Sequence, residues 1–192
     1  MSQALFSALR GIMTDLSPFS SWQYNVVDKY KGQDLESIKD DLQKTTLPCA
    51  VLMAQVVGDF NFGCVIRNSN NFNVREVFYY GKKKFDRRSA LGTYHYTKVT
   101  YLSSFQDLKD LKAQYSFVGL ENNIKGTVPL SKFIWPKQSL IVLGEEGVGI
   151  SPDLIDLLDY TVEIPSIGSV RSINVASASS IALYDYYTKS LV

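Results

Sequence analysis

The first residues whose types and spacing could do chemistry are Asn61, Gly63 and Arg67, which follow an apolar run at 50–57. Open α/β sheets bind ligands at the carboxyl ends of their strands, so a polar turn directly after a buried strand is a candidate site. Gly63 has no side chain and lets backbone approach closely. Arg67 falls on the first turns of the helix predicted to follow. Taken alone, Arg67 could equally be a structural arginine that pairs with a carboxylate.

A glycine-rich loop follows another apolar run, within 140–154. The loop contains Gly144, Glu146, Gly147 and Gly149. It ends at Ser151-Pro152, which predicts a helix start because serine is a preferred N-cap and proline is favoured at the first helical position. The pattern is neither a P-loop nor a dinucleotide-binding turn. It indicates either close backbone contact with a ligand or only a tight turn.

The third segment, 162–187, begins with a strand that ends at Ile164-Pro165. A polar loop containing Gly168, Ser172 and Asn174 comes next. The final helix then starts with the small residues of 176–180, which would let another element pack very close. An ordinary C-terminal helix with a small-residue packing face would also fit this helix, but it does not account for the abrupt polar loop.

The elements that must position these residues alternate along the chain. Near-continuous apolar runs predict strands covered on both faces, as in parallel sheets. Strands are predicted at 50–57, 75–81, 97–102, 115–120, 139–144 and 160–164, with helices near 104–113, 151–158 and 174–190 between or after them. The fold class is therefore α/β with a mostly parallel sheet. Helical patterns at 1–17 and 34–44 indicate that residues 1–47 are a helical extension of one domain at 48–192.

Charge is nearly balanced over the whole chain, with a formal net charge of +1. Basic residues nevertheless cluster at 82–88, as Lys82, Lys83, Lys84, Arg87 and Arg88. Such a cluster could contact phosphates. It could also be a solvated turn without a ligand.

Several classes of protein are disfavoured by the sequence. No apolar run approaches the roughly 20 residues that span a bilayer, and the N-terminus does not read as a signal peptide. Cys49 and Cys64 lie in apolar surroundings, which favours buried reduced thiols. Two cysteines and the single histidine, His95, make a structural zinc site unfavourable.

Together, and in this order, the three segments resemble the three motifs of the SpoU family of SPOUT RNA methyltransferases. The resemblance covers roughly 48–190. It rests on Asn61, Gly63 and Arg67 for the first motif, on Gly144, Glu146, Gly147 and Gly149 for the second, and on Ile164-Pro165, Gly168, Ser172, Asn174 and Val175 for the third.

The resemblance implies a fold with helices on both faces of the sheet and a C-terminal trefoil knot. It implies that S-adenosylmethionine is held in the knot loops and leaves as S-adenosylhomocysteine. The residues that would bind it are Leu143, Gly144, Gly147, Gly149, Ile164, Ile167, Ser172 and Asn174. The resemblance also implies a cytoplasmic homodimer with the active site at its interface, without a metal or a membrane.

The implied reaction is methyl transfer to a ribose 2′-hydroxyl of tRNA or rRNA. Arg67 is the residue that the family assigns to the hydroxyl. Because a guanidinium has a pKa above about 12, stabilisation of the developing oxyanion is a better physical description of its role than general base. Asn61, Glu146, Ser172 and Asn174 would orient Arg67 and the ribose, and the 82–88 cluster would contact the RNA backbone.

Two other functions remain open from the sequence. One is an RNA-binding protein with a SpoU fold and no catalysis. The residues that disfavour it are the intact Asn61, Arg67, Glu146, Ser172 and Asn174. The other is a cofactor- or nucleotide-binding α/β enzyme unrelated to RNA. That enzyme would have an unknotted sheet and a site at the 58–63 turn rather than at 144–174.

Overall fold

The structure, a computed structural model, describes residues 26–81, 84–122 and 124–190. The helix predicted at 1–17, together with Lys82 and Lys83, lies outside the described residues. The helices are α1 (Leu35–Gln43), α2 (Asp59–Asn71), α3 (Phe105–Asp110), α4 (Pro152–Ile155) and α5 (Val175–Ser190). The strands are β1 (Leu47–Ala54), β2 (Val74–Tyr80), β3 (Val99–Leu102), β4 (Ser116–Leu120), β5 (Val128–Pro129), β6 (Ser139–Leu143) and β7 (Tyr160–Glu163).

Within the described part of the chain, these strands form one sheet of seven in the order β3-β2-β1-β6-β4-β7-β5. Each neighbouring pair is parallel. Strand β6 lies between β1 and β4, and β7 lies between β4 and β5. Strands that come later in the sequence thus lie between strands that come earlier. The carboxyl ends of β1, β6, β4 and β7 are consequently neighbours along one edge.

Both faces of the sheet are covered, which explains why its strands read as continuous apolar runs. In β1, Cys49, Val51 and Met53 belong to one buried cluster, and Ala50 and Leu52 belong to a second one on the opposite face. The first cluster includes side chains of α2 and α5, and the second includes side chains of α3 and α4. The predicted α/β fold with helices on both faces is confirmed.

Strand and helix positions differ from the prediction only at their ends, with two exceptions. The helix predicted at 151–158 is one turn, Pro152–Ile155. Strand β5 was not predicted, because two residues that pair only with β7 at the edge of the sheet carry no hydrophobic periodicity.

The described part of the N-terminal segment contains a 3-10 turn, Asp28–Tyr30, and α1. Helix α1 begins where the Asp34 side chain accepts a hydrogen bond from the Ser37 backbone N–H, at 3.0 Å. Its end is held by Asn73, whose Nδ2 donates to the Leu42 carbonyl oxygen at 2.8 Å. A boundary between this segment and the α/β domain near residue 47 stays a prediction.

Candidate active site

Side chains from the three predicted motifs form one hydrogen-bonded group at the carboxyl edge of the sheet. Asn61, in the first turn of α2, donates from Nδ2 to the Glu146 carboxylate and accepts at Oδ1 from Asn174 Nδ2, at 2.9 Å. The second Glu146 oxygen accepts from the Val57 backbone N–H, at 3.3 Å. The structure therefore brings together residues separated by 85 and 113 positions in the chain.

The orientation of this group is fixed by donor and acceptor chemistry. The Asn174 Oδ1 accepts from the backbone N–H groups of Ala176 and Ser177, at 3.0 and 3.4 Å, at the start of α5. Its Nδ2 is thereby turned towards Asn61. A glutamate carboxylate only accepts, so the Asn61 amide must present its NH₂ to Glu146 and its oxygen to Asn174. One arrangement satisfies all three side chains.

The glycine-rich loop is closed by its own backbone. Glu145 and Gly149 exchange two hydrogen bonds, of 3.1 and 2.8 Å. A Cβ on Gly144 would lie 2.4 Å from the Gly149 carbonyl carbon, and Gly149 has a φ of +78°. These two glycines are therefore required by the tight turn itself, which was the alternative left open from the sequence. The turn nevertheless borders a cavity.

A cavity of about 260 Å³ lies where β4, β6 and β7 end. It is lined by Leu120, Glu121, Asn122, Leu143, Gly144, Glu145, Glu146, Gly147, Val148, Gly149, Ile164, Arg171, Ser172, Ile173, Val175 and Ala178. Apolar side chains and polar or charged ones contribute to the lining in similar numbers. The volume lies just below that of small-molecule sites, which begin near roughly 300 Å³.

Most of the residues predicted to bind the cofactor line this cavity, namely Leu143, Gly144, Gly147, Gly149, Ile164 and Ser172. Two do not. Ile167 is fully exposed, with a relative accessibility of 105%, and lies outside the cavity. Asn174 is occupied with Asn61 and the start of α5 instead.

Arg67 is exposed on α2 and stands apart from this group. It lies six positions after Asn61, which places it about 9 Å further along the helix axis. Its guanidinium makes no hydrogen bond or ion pair with any residue that the structure describes. The alternative role considered for Arg67, a structural arginine that pairs with a carboxylate, is therefore not supported by the described residues.

Four polar residues of the cavity were not predicted from the sequence, namely Glu121, Asn122, Glu145 and Arg171. Glu121 accepts from the backbone N–H groups of Asn122 and Ile150, at 2.9 and 3.2 Å, and so ties the end of β4 to the end of the glycine-rich loop. The position of Glu121 could have identified it, because it directly follows the strand predicted at 115–120. Polar residues at the carboxyl ends of strands are candidate site residues, which is the criterion that selected Asn61.

The turn Arg87–Ala90, which includes the last two cations of the basic segment 82–88, packs against α2, the helix that carries Asn61 and Arg67. Ser89 Oγ donates to the Asp59 carbonyl oxygen at 3.0 Å. A Cβ on Gly63 would lie 2.5 Å from the Ala90 backbone nitrogen. The close approach predicted for Gly63 is therefore made by the protein's own 87–90 turn, which holds Arg87 and Arg88 beside α2.

The described cations of this segment differ in their surroundings. Arg87 lies over the Tyr94 ring, 4.0 Å from its centroid. Arg88 hydrogen-bonds the Asp86 carboxylate through its Nε, at 2.6 Å, and lowers the pKa of that carboxyl. Lys84 is exposed. Asp86 was not among the predicted residues, and its carboxylate offsets one of the positive charges.

The small residues at the start of α5 form a packing face against α2. Asn68 Nδ2 donates to the Ala176 carbonyl oxygen and to Ser179 Oγ, at 2.8 and 3.0 Å. Ser179 and Ala182 are completely buried. This contact fixes α5 to the helix that bears Asn61 and so supports the bond between Asn61 and Asn174.

Neither cysteine is in a disulfide. Cys49 is completely buried, and burial raises its pKa to about 12. Among the described residues, no three His, Cys, Asp or Glu side chains are grouped so as to hold a metal ion. In the same residues, no helix has the length and apolar character needed to cross a membrane.

Comparison with known proteins extends these observations. The model of the SpoU rRNA Methylase family matches residues 48–184. A curated tRNA (guanosine(18)-2′-O)-methyltransferase of Aquifex aeolicus is 25% identical over 168 residues, which cover 85% of this chain and 78% of that protein.

Solved structures agree in fold. The A. aeolicus TrmH/SpoU tRNA modifying enzyme superposes with a TM-score of 0.73 at 24% identity, covering 82% of each chain. The SpoU methyltransferase AviRb of Streptomyces viridochromogenes, in complex with AdoMet, superposes with a TM-score of 0.68 at 24% identity. That match covers 74% of this chain and 57% of AviRb.

Proposed function

Because the chain belongs to the SpoU rRNA methylase family, we propose that it transfers a methyl group from S-adenosylmethionine to a ribose 2′-hydroxyl of RNA. The Aquifex aeolicus relative, named as a tRNA 2′-O-methyltransferase, and the family itself, named for rRNA methylation, support this activity. Because these names include both tRNA and rRNA, the proposed substrate is tRNA or rRNA.

The observation that carries the proposal is the hydrogen-bonded group of Asn61, Glu146 and Asn174. Each residue comes from a different motif, and the hydrogen-bond donors and acceptors of the group allow only one orientation of the side-chain amides. Preorganised polar groups of this kind are what alignment of two bound reactants requires, and alignment can contribute about 7–11 kcal/mol to the lowering of a barrier. A protein that only bound RNA would not need this arrangement beside a cavity.

The residues around the cavity fit the proposed cofactor. Leu120, Leu143, Ile164 and Val175 offer an apolar slot for an adenine. Backbone groups of the glycine-rich loop and the carboxylates of the lining offer polar contacts for the rest of the molecule. When bound, the cofactor supplies a methyl group already activated on a sulfonium. The protein therefore needs to exclude water, align the hydroxyl and assist loss of its proton.

Arg67 is proposed as the residue that acts on the ribose hydroxyl. Its exposure and its lack of a partner among the described residues leave the guanidinium available to RNA. A guanidinium stays protonated, so it would stabilise negative charge that develops on the 2′-oxygen, directly or through a substrate phosphate. Ser172, exposed at the rim of the cavity, is proposed to orient the ribose.

The basic segment is proposed to contact the RNA backbone through Lys82, Lys83, Lys84, Arg87 and Arg88. Its attachment to α2 through Ser89 and Gly63 supports this role, because α2 also carries Arg67. RNA bound to the segment would be guided towards the same helix. Of the described cations, Lys84 and Arg87 should contribute more than Arg88, whose charge is offset by Asp86.

We also propose a homodimer. Large apolar side chains are exposed on the elements that carry the motifs, including Phe60 on α2 (74%) and Ile181, Tyr184 and Tyr187 on α5. Exposed apolar patches commonly mark protein contacts. A second copy of the chain seated on α2 and α5 would cover them and would put the active site at the interface, as the family resemblance implies. The trefoil knot and a cytoplasmic location remain predictions of the family resemblance.

The proposal is tested by isothermal titration calorimetry of the purified protein with S-adenosylmethionine. A one-to-one stoichiometry per chain is expected. Absence of binding would favour the alternative of an RNA-binding protein without catalysis. The second alternative, a site at the 58–63 turn, finds no support in the position of the cavity, which borders residues 120–122, 143–149 and 164–178.

A further inference from the structure

Negatively charged side chains outnumber positively charged ones in the lining of the cavity. Three carboxylates line it, those of Glu121, Glu145 and Glu146. Arg171 contributes the one cation among the described lining residues. A ligand that matches this lining should carry more positive than negative charge and should place its single anionic group near Arg171.

Arg171 is held in place through its backbone while its side chain remains accessible. Its carbonyl oxygen accepts from Asn122 Nδ2 at 3.2 Å, which ties the loop before α5 to the end of β4. Its guanidinium is exposed and has no hydrogen bond or ion pair with any described residue. Two of the three lining carboxylates bind other groups, since Glu146 binds Asn61 and Glu121 binds the Ile150 backbone N–H, and none of the three forms an ion pair with Arg171. Arg171 is therefore not explained by a structural ion pair within the described chain.

S-adenosylmethionine has the matching charge pattern. It carries a sulfonium and an ammonium, which are positive, and one carboxylate on its methionine moiety. We propose that Arg171 binds this carboxylate and thereby fixes the methionine end of the cofactor. Arginine suits the task because its planar guanidinium can bind a carboxylate through two parallel hydrogen bonds, which are stronger than those between neutral groups. The inference rests on the proposed function, because it takes S-adenosylmethionine as the occupant of the cavity.

An RNA phosphate is the other anion that could reach an exposed arginine at this rim. The cofactor carboxylate is favoured because Arg171 directly precedes Ser172 and lines the same cavity as Leu143 and Gly144. An RNA strand would also have to approach the three carboxylates of the lining, which repel phosphate.

Calorimetry with two ligands tests the proposal without measuring turnover. S-adenosylhomocysteine has the amino-acid tail, and 5′-methylthioadenosine has the same adenosine and thioether without that tail. Arg171→Ala should weaken S-adenosylhomocysteine by about tenfold or more, as expected for loss of a charge-assisted hydrogen bond. It should leave 5′-methylthioadenosine unchanged. Arg171→Lys should recover part of the loss, and Lys132→Ala, an exposed cation in another turn, is the matched control.

The outcomes separate the hypotheses. Equal affinity of S-adenosylhomocysteine for the wild type and for Arg171→Ala would overturn the assignment, and weaker RNA binding by that variant would then assign Arg171 to phosphate. Equal weakening of both ligands would also overturn it, because it would mean that the loop itself is disturbed. Failure of the wild type to bind either ligand would instead reject the proposed cofactor, and the inference with it.

Discussion

The side-chain amides of Asn61 and Asn174 are joined by a hydrogen bond of 2.9 Å, although 113 positions separate them in the chain. This bond connects the start of α2, after β1, to the start of α5, after β7. Because Asn61 also binds Glu146, one residue links all three motifs. The geometry of the proposed site thus depends on two amides, whose roles can be separated by substitution.

Asn174 has two roles, and two substitutions distinguish them. Asn174→Ala removes the acceptor at the start of α5, which should cost about 1 kcal/mol of unfolding free energy, and it also removes the donor to Asn61. Asn174→Asp keeps the acceptor but turns an oxygen towards the Asn61 oxygen. We expect Asn174→Asp to keep the thermal midpoint and to lose methyl transfer. Wild-type activity of Asn174→Asp would show that the bond between the amides is dispensable.

Arg67→Ala should abolish methyl transfer and leave the affinity for S-adenosylmethionine nearly unchanged. Cofactor affinity should not change because Arg67 is exposed on α2 and does not line the cavity. Calorimetry and a radiolabelled methyl-transfer assay on the same preparation measure the two quantities. Turnover at the wild-type rate would remove Arg67 from the mechanism.

Gly149→Ala should weaken cofactor binding, with Gly126→Ala as the matched control. Both glycines have positive φ, of +78° and +86°, so both variants should be destabilised by about 1–2 kcal/mol. Only at position 149 would the new Cβ meet Glu121 Oε2, and only position 149 borders the cavity. If the two variants bind S-adenosylmethionine equally well, the glycine-rich loop is not part of the cofactor site.

Neutralising Lys84 and Arg87 should weaken RNA binding and reduce its salt dependence. Each lost phosphate contact should change the slope of log K against log salt by about 0.7 for single-stranded RNA. Arg88→Gln should have a smaller effect because Asp86 already offsets that charge. RNA affinities of the variants and the wild type are measured at several salt concentrations. An unchanged slope of log K against log salt would mean that the segment is a solvated turn that does not contact RNA.

Tyr184→Arg should dissociate the proposed homodimer. Tyr184 is exposed in the single chain, so the variant should fold normally, and a buried arginine pair at an interface would be unfavourable. Sedimentation equilibrium measures the mass, and circular dichroism checks the fold. A wild-type protein that is monomeric at micromolar concentration would reject the dimer.

The sequence predicted the sheet well because burial on both faces leaves a direct trace. The runs that became β1 and β6 are apolar at nearly every position, and both strands are buried almost throughout. Strand β5 left no such trace, since its two residues lie at the edge of the sheet. The helix at 151–158 was predicted too long, because a good start signal at Ser151-Pro152 does not determine where a helix ends.

The site was predicted in part for a related reason. Glycines and amides after apolar runs are visible in a sequence, and they led to Asn61, Gly144 and Asn174. Contacts between distant segments are not visible. Pairing of Glu121 with Ile150 depends on β4 lying beside β6, and the 87–90 turn is placed by packing on Gly63. The order of strands in the sheet, which no local pattern encodes, decided these contacts.

The central claim is methylation of a ribose 2′-hydroxyl, and mapping of 2′-O-methyl positions in total RNA tests it most directly. RNA from cells with and without the gene is compared, with complementation by the wild type or by Arg67→Ala. We expect at least one tRNA or rRNA position to lose its methyl group without the gene, to regain it with the wild type and not to regain it with Arg67→Ala. Identical maps in all four samples would contradict the claim.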